Sequence, residues 1–255
     1  MKQFLKKSAL ALAALAGAAG AQATTIDFDS GVDTSLAAGA PYFLLDRDAV
    51  IQKGFAIGVG NVNNGTNASD GSLVGALFDP SINSCDSATL TCPTGNSTTY
   101  LAAYNDAVPF IQALDGSAFS LSSFSASFIG TPGNTNTQAS GVPAGLIRLF
   151  VVQSDGTSGY LTAQFQLKGT DSSGNLSFAD FIMPTSIQAL SLVEVDFVGY
   201  SCNGGGNCNA FTTNKGQIAL DNINVTAVVP EPASWLLAFV GLGAVGAVVR
   251  RRRSA

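Results

Sequence analysis

The chain of 255 residues carries 12 Lys and Arg against 17 Asp and Glu, four Cys, one Trp and no His. Without histidine, Ser-His-Asp and Cys-His catalysis and His-ligated metals are excluded. No Gly-x-Ser-x-Gly elbow and no Walker-type Gly-Lys-Ser/Thr occurs either, so the common hydrolase and nucleotide-binding chemistries lack their residues.

The N-terminus opens with Lys2, Lys6 and Lys7, continues through the apolar run Ser8–Gly20 and reaches Ala21-Gln22-Ala23. A cationic end, a short apolar stretch and small residues at a cleavage site define a secretory signal peptide over 1–23, with Thr24 the expected new N-terminus. The body, 24–229, then retains only Arg47, Lys53, Arg148, Lys168 and Lys215 against 16 carboxylates, a net charge near −11. Such a surface repels nucleic acid and anionic lipid, and suits cations or neutral, hydroxyl-rich partners.

Along the body, short alternating runs separated by Gly, Asn, Asp and Ser clusters predict an all-β fold. The expected strands are Thr25–Phe28, Gly54–Val59, Leu73–Phe78, Thr99–Tyr104, Phe119–Ile129, Leu146–Gln153, Tyr160–Lys168, Leu176–Ile182, Val193–Gly199 and Gln217–Thr226. Phe119–Phe128 changes phase between Leu121 and Phe124, which predicts a bulge. The turn-forming Asp171-Ser172-Ser173-Gly174-Asn175 predicts a hairpin between Tyr160–Lys168 and Leu176–Ile182. About ten strands that must hide their edges favour two packed sheets or a barrel. The expected architecture is a single jelly-roll-like β-sandwich occupying the whole body.

Cys85/Cys92 and Cys202/Cys208 are two close pairs in polar loops. In an exported chain they read as structural disulfides, with three connectivities open and local pairing the simplest. Glu194 and Asp196 lie two apart on one strand, about 7 Å from each other on the face opposite Val193, Val195 and Phe197. That pair is the sequence's candidate for an Asp/Glu-dependent, carbohydrate-active hydrolase, since glycoside cleavage uses two carboxyl groups. Asp27, Asp29 and Asp221, near the first and last strands, are candidate ligands for a structural calcium, a hard cation that takes several oxygens. The body has no Trp for stacking on sugar rings; Tyr42, Tyr100, Tyr104, Tyr160 and Tyr200 are the available substitutes.

The tail reads Val229-Pro230-Glu231-Pro232-Ala233-Ser234-Trp235, then the apolar run Leu236–Val249, then Arg250, Arg251, Arg252 and Arg253. Ala233–Val249 as a helix spans about 25 Å, enough for a thin bilayer. Trp235 suits the interface, and the arginines hold the end in the cytoplasm. Pro-Glu-Pro, an apolar helix and a basic end, on a chain with a signal peptide, resembles the PEP-CTERM sorting signal. The same tail has also been labelled an ice-binding protein C-terminal domain, a name that describes the tail and not an activity. The resemblance implies passage through the Sec translocon and transient inner-membrane anchoring. It further implies processing by an exosortase near Pro230, Glu231 and Pro232, then delivery to the surface of a Gram-negative cell that makes exopolysaccharide. The expectation is a non-catalytic surface or matrix protein associated with exopolysaccharide. The alternatives are the hydrolase above, or a purely structural adhesin or coat protein.

Overall fold

Period-two alternation sends one side of each strand into a shared interior. In the computed structural model, residues 23–39, 43–61, 73–81, 91–129, 143–211 and 215–227 are described; the expected signal peptide up to residue 22, the tail from residue 228 and Cys85 lie outside them. Ala23–Ala227 forms one unit with its own core.

One sheet runs β2 (Phe43–Leu45), β5 (Leu73–Phe78), β7 (Tyr100–Ala103), β16 (Ile218–Ala227), β9 (Phe119–Phe128), β13 (Ala179–Ile182), with β1 (Ala23–Ile26) also paired to β16. The second runs β3 (Ala49–Gln52), β4 (Phe55–Gly60), β8 (Val108–Ala113), β14 (Leu192–Cys202), β10 (Gly145–Gln153), β11 (Ser158–Leu167). The two join where Leu192 pairs with Phe119, and β15 (Cys208–Asn209) folds back on β14. A small parallel pair, β6 (Pro93–Thr94) with β12 (Leu176–Ser177), and a one-turn helix α1 (Thr185–Gln188) complete the described elements.

Between the sheets, the Phe124 ring on β9 lies 5.3 Å from Phe165, 5.2 Å from Phe181 and 5.1 Å from Phe197. These rings come from β9, β11, β13 and β14, so one aromatic knot ties both sheets together. The architecture is therefore an all-β sandwich. Its in-sheet hairpins β3–β4 and β10–β11 give it a more meandering path than the jelly-roll expectation.

The bulge expected in Phe119–Phe128 is present. Burial switches phase at Ser122 and Ser123, and the register against β16 slips from Leu121↔Val225 to Ser123↔Asn224. The expected hairpin of β11 with the 176–182 region does not form. The turn exists, with the Asp171 amide donating to the Asn175 carbonyl, but β12 leaves to pair with β6 and β13 with β9. Strand β11 instead pairs with β10 across the turn Ser154-Asp155-Gly156-Thr157, where Gly156 has a φ of 86°.

Two features missed by alternation fix the ends of the sheets. Gln52 is buried on β3, its Oε1 accepting from the Asp27 and Phe28 amides and its Nε2 donating to Asp27 and the Ser30 carbonyl. Gly199 on β14 lies so close to Gly216 that a Cβ there would sit 2.1 Å from the Gly216 carbonyl oxygen.

Cys202 and Cys208 are disulfide-bonded, closing the β14–β15 turn across a sequence separation of 6. Cys92 is also disulfide-bonded, while Cys85 lies outside the described residues. So small a loop as 202–208 constrains the unfolded chain modestly. A Cys202→Ser/Cys208→Ser double variant should lose about 2 kcal/mol in denaturant unfolding, and a loss near zero would show that the turn hydrogen bonds alone set this hairpin.

Candidate functional site

Each of the three carboxylates considered for calcium accepts hydrogen bonds from the protein. Asp27 pairs with Lys53 at 2.9 Å and accepts from Gln52 Nε2 at 2.8 Å. Burial opposes its ionisation, but these donors outweigh it and hold its pKa below the usual value. Asp29 accepts from the Thr99 amide at 2.8 Å. Asp221 is buried on β16 and accepts from Asn96 Nδ2 at 3.0 Å, Thr98 Oγ1 at 2.9 Å, and the Asn222 amide at 2.7 Å. Burial pushes its pKa up to about 6, with those donors opposing and the Asp29 charge adding. A calcium shell needs converging oxygens; here Asp221 is surrounded by donors, and no group of three acidic or Cys ligands gathers among the described residues. In this arrangement Asp221 acts as a hydrogen-bond acceptor. What it does is dock the segment carrying Asn96 and Thr98 onto the first sheet.

That segment lies beside a second apolar cluster, in which Tyr100 and Tyr104 are buried with Ala76, Ala102, Ile129 and Ala219. Phe78, Phe178 and Cys92 pack against it. Tyr100 and Tyr104 are therefore unavailable as platforms, and Tyr42 lies outside the described residues. Tyr160 and Tyr200 remain.

Those two converge with Glu194 and Asp196 on the outer face of the second sheet. Register places Glu194 opposite Val152 and Gln112, Asp196 opposite Phe150 and Phe110, Arg148 opposite Val198 and Gln164, and Phe150 opposite Tyr160. Val195 and Phe197 point inward and are buried, as alternation predicts. The Arg148 guanidinium carbon lies 4.8 Å from the Tyr160 ring centroid and 5.9 Å from that of Tyr200. Phe150 meets Tyr160 edge to face at 5.3 Å. Among the described residues Arg148 makes no salt bridge, and its buried Nε has no hydrogen-bond partner. The ring faces hold the cation, leaving the rest of its fork without an ion-pair partner. Tyr160 is 43% exposed, and burial together with its Tyr200 neighbour raises its pKa.

Asp196 is pushed up to about 7, first by burial, then by the Glu194 charge and the hydrogen bond between the two carboxyl groups. Near neutral pH Asp196 is therefore partly protonated.

The alternation of β14 made Glu194 and Asp196 readable in advance. Arg148 and Phe150 were not singled out, although the same alternation on β10 places both on the polar face. The missing information was which strands are neighbours.

A family model described as the PEP-CTERM protein-sorting motif matches residues 228–253. The chain therefore carries a PEP-CTERM protein-sorting motif in its C-terminal tail, a motif that implies export and processing by an exosortase. The match covers the tail and leaves the body unclassified. None of the curated proteins compared matches the chain. No helix among the described residues is long and apolar enough to cross a membrane; the expected span 233–249 lies outside them.

Proposed function

We propose that the body is a non-catalytic binding module. After removal of a signal peptide and processing near Pro230–Pro232, it is delivered to the cell surface, where it holds a neutral, hydroxyl-rich exopolysaccharide. The observation that carries this reading is the Arg148–Tyr160–Tyr200 stack beside the carboxyl groups of Glu194 and Asp196. The chemistry fits a glycan. An exposed Tyr ring covers the C–H face of a sugar, a guanidinium without an ion-pair partner donates to ring and hydroxyl oxygens, and carboxyl oxygens accept from hydroxyls. The acidic surface disfavours polyanions, so a neutral polymer suits it better.

Body protein 23–227, titrated calorimetrically against the producing strain's exopolysaccharide with and without calcium, tests this. Saturable heat and no new reducing ends are expected. Tyr160→Ala should weaken affinity about fivefold or more, and Arg148→Ala by a comparable factor. Release of reducing ends that stops in Glu194→Gln would make the protein a hydrolase. Absence of binding together with concentration-dependent self-association would make it a coat protein.

A further inference from the structure

The outer face of the first sheet carries a cleft that none of the assignments above uses. It has a volume of about 320 Å³ and is lined by Thr25 on β1, Ser123, Phe124 and Ser125 on β9, Asp180 and Ile182 on β13, and Asn222 and Asn224 on β16. This lies at the lower end of the about 300–1,000 Å³ typical of ligand pockets. Its origin is a pair of opposed irregularities. Between Leu121↔Val225 and Ser123↔Asn224, β9 has one residue too many; between Ser123↔Asn224 and Ser125↔Asp221, β16 has the surplus. Asn222, in that surplus, has a φ of 48°, which asparagine tolerates better than most residues. A bulge bends its strand and re-aims side chains, and two facing bulges open a hollow in an otherwise flat face.

The floor is organised before any ligand arrives. Thr25 Oγ1 donates to Asn224 Oδ1, and Asn224 Nδ2 donates to Ser123 Oγ at 2.9 Å and to the Asn222 carbonyl at 3.0 Å. Ser125 Oγ donates to Asp180 Oδ1 at 2.6 Å. Asp180 Oδ2 has no partner among the described residues, and Ser123, holding only an acceptor role in this network, keeps its hydroxyl proton to donate. Ile182 stands at the rim, 78% exposed, the most exposed large apolar side chain described.

We infer that this cleft binds a single neutral polyhydroxylated ring, such as one residue or a chain end of a saccharide. One carboxylate with no cation in the lining repels anions, and one carboxylate with hydroxyls and amides is too weak a donor set for a divalent cation. A carboxylate oxygen with open lone pairs takes hydroxyl donors, the hydroxyl and amide floor completes polar pairing, and Ile182 covers a C–H face. The site is separate from the Arg148–Tyr160–Tyr200 face and lies on the other sheet, so one body has two outward-facing binding surfaces and can bridge two chains.

The test is amide NMR of the body 23–227, which has its own core, titrated with the methyl glycosides of glucose, galactose and mannose. Saturable shifts at Ser123, Ser125, Asp180, Ile182 and Asn224 are expected with at least one of them. Asp180→Asn should raise that dissociation constant about tenfold or more, and Ile182→Ala should raise it severalfold. Both side chains are exposed, so the unfolding midpoint should not move. Tyr160→Ala should leave the cleft titration unchanged while weakening polysaccharide binding, which keeps the two surfaces experimentally separate. The inference is overturned if no glycoside produces saturable shifts at these amides, if the shifts persist in Asp180→Asn, or if calcium chloride alone produces them.

Discussion

Replacing Phe124 with Ala should destabilise the body by about 3–5 kcal/mol in denaturant unfolding, the largest loss expected of any single core truncation here. The ring is 1% exposed and lies within 5.3 Å, centroid to centroid, of three others from three different strands. Removing it takes away the buried ring and leaves a cavity that Phe165, Phe181 and Phe197 can fill only by moving from their packed positions. Because those partners come from both sheets, the lost contacts include those that hold the sandwich closed. A Phe124→Leu variant keeps much of the volume and should recover about half of the loss. A loss below about 1 kcal/mol for Phe124→Ala would mean that the sheets are held by something other than this aromatic knot.

The body should become less stable as pH rises from 5 to 8, contrary to the usual behaviour of carboxylate-rich proteins. Asp196 has a folded pKa of about 7 and Asp221 of about 6, against an ordinary value of 3.8. A carboxyl group whose folded pKa is raised stabilises below its unfolded pKa, and that contribution is lost as pH climbs through the folded value. For Asp196 the loss is up to about 4 kcal/mol, three pKa units at about 1.4 kcal/mol each. In the other direction, Asp27, Asp155 and Asp171 have depressed pKa values, Asp155 and Asp171 through turn amides. Their contributions vanish as pH falls below the ordinary carboxylate range. Thermal unfolding followed across pH should therefore peak at about pH 4–5. Asp196→Asn should flatten the neutral limb and raise the melting temperature at pH 8. An unchanged slope in that variant would show that Asp196 is ionised in the folded protein at neutral pH, with Glu194 no obstacle.

Local signals in the sequence were read well where the structure is local. Leu73–Phe78 is a strand with the expected ends, and the Leu121–Phe124 phase change is the β9 bulge. Strand β8 was missed because Pro109 interrupts the pattern, yet its neighbours Val108 and Phe110 pair with Gly60 and Gly58 on β4, and Phe110 also with Asp196 on β14. The β11 hairpin failed for a different reason. Asp171–Asn175 and Ser154–Thr157 have equivalent turn chemistry, and only long-range pairing decides which of them joins adjacent strands. The functional face has the same status. Glu194 and Asp196 follow from alternation on one strand, whereas the meeting of Arg148, Tyr160 and Tyr200 requires β10 between β11 and β14. The cleft depends on a mutual slip of two strands nearly a hundred residues apart, which no window of sequence contains.

The strand made last is also the middle of its sheet. Residues of β16 pair with β1, β7 and β9, with Ala23 facing Thr226. A nascent body lacking 218–227 has no surface on which β1 can settle and no link between β7 and β9. Completion of that sheet must wait until the stretch immediately before the sorting tail has emerged. Delayed closure of this kind would keep the polypeptide threadable for as long as it is being moved, and would couple its final collapse to the arrival of the segment that the processing enzyme reads.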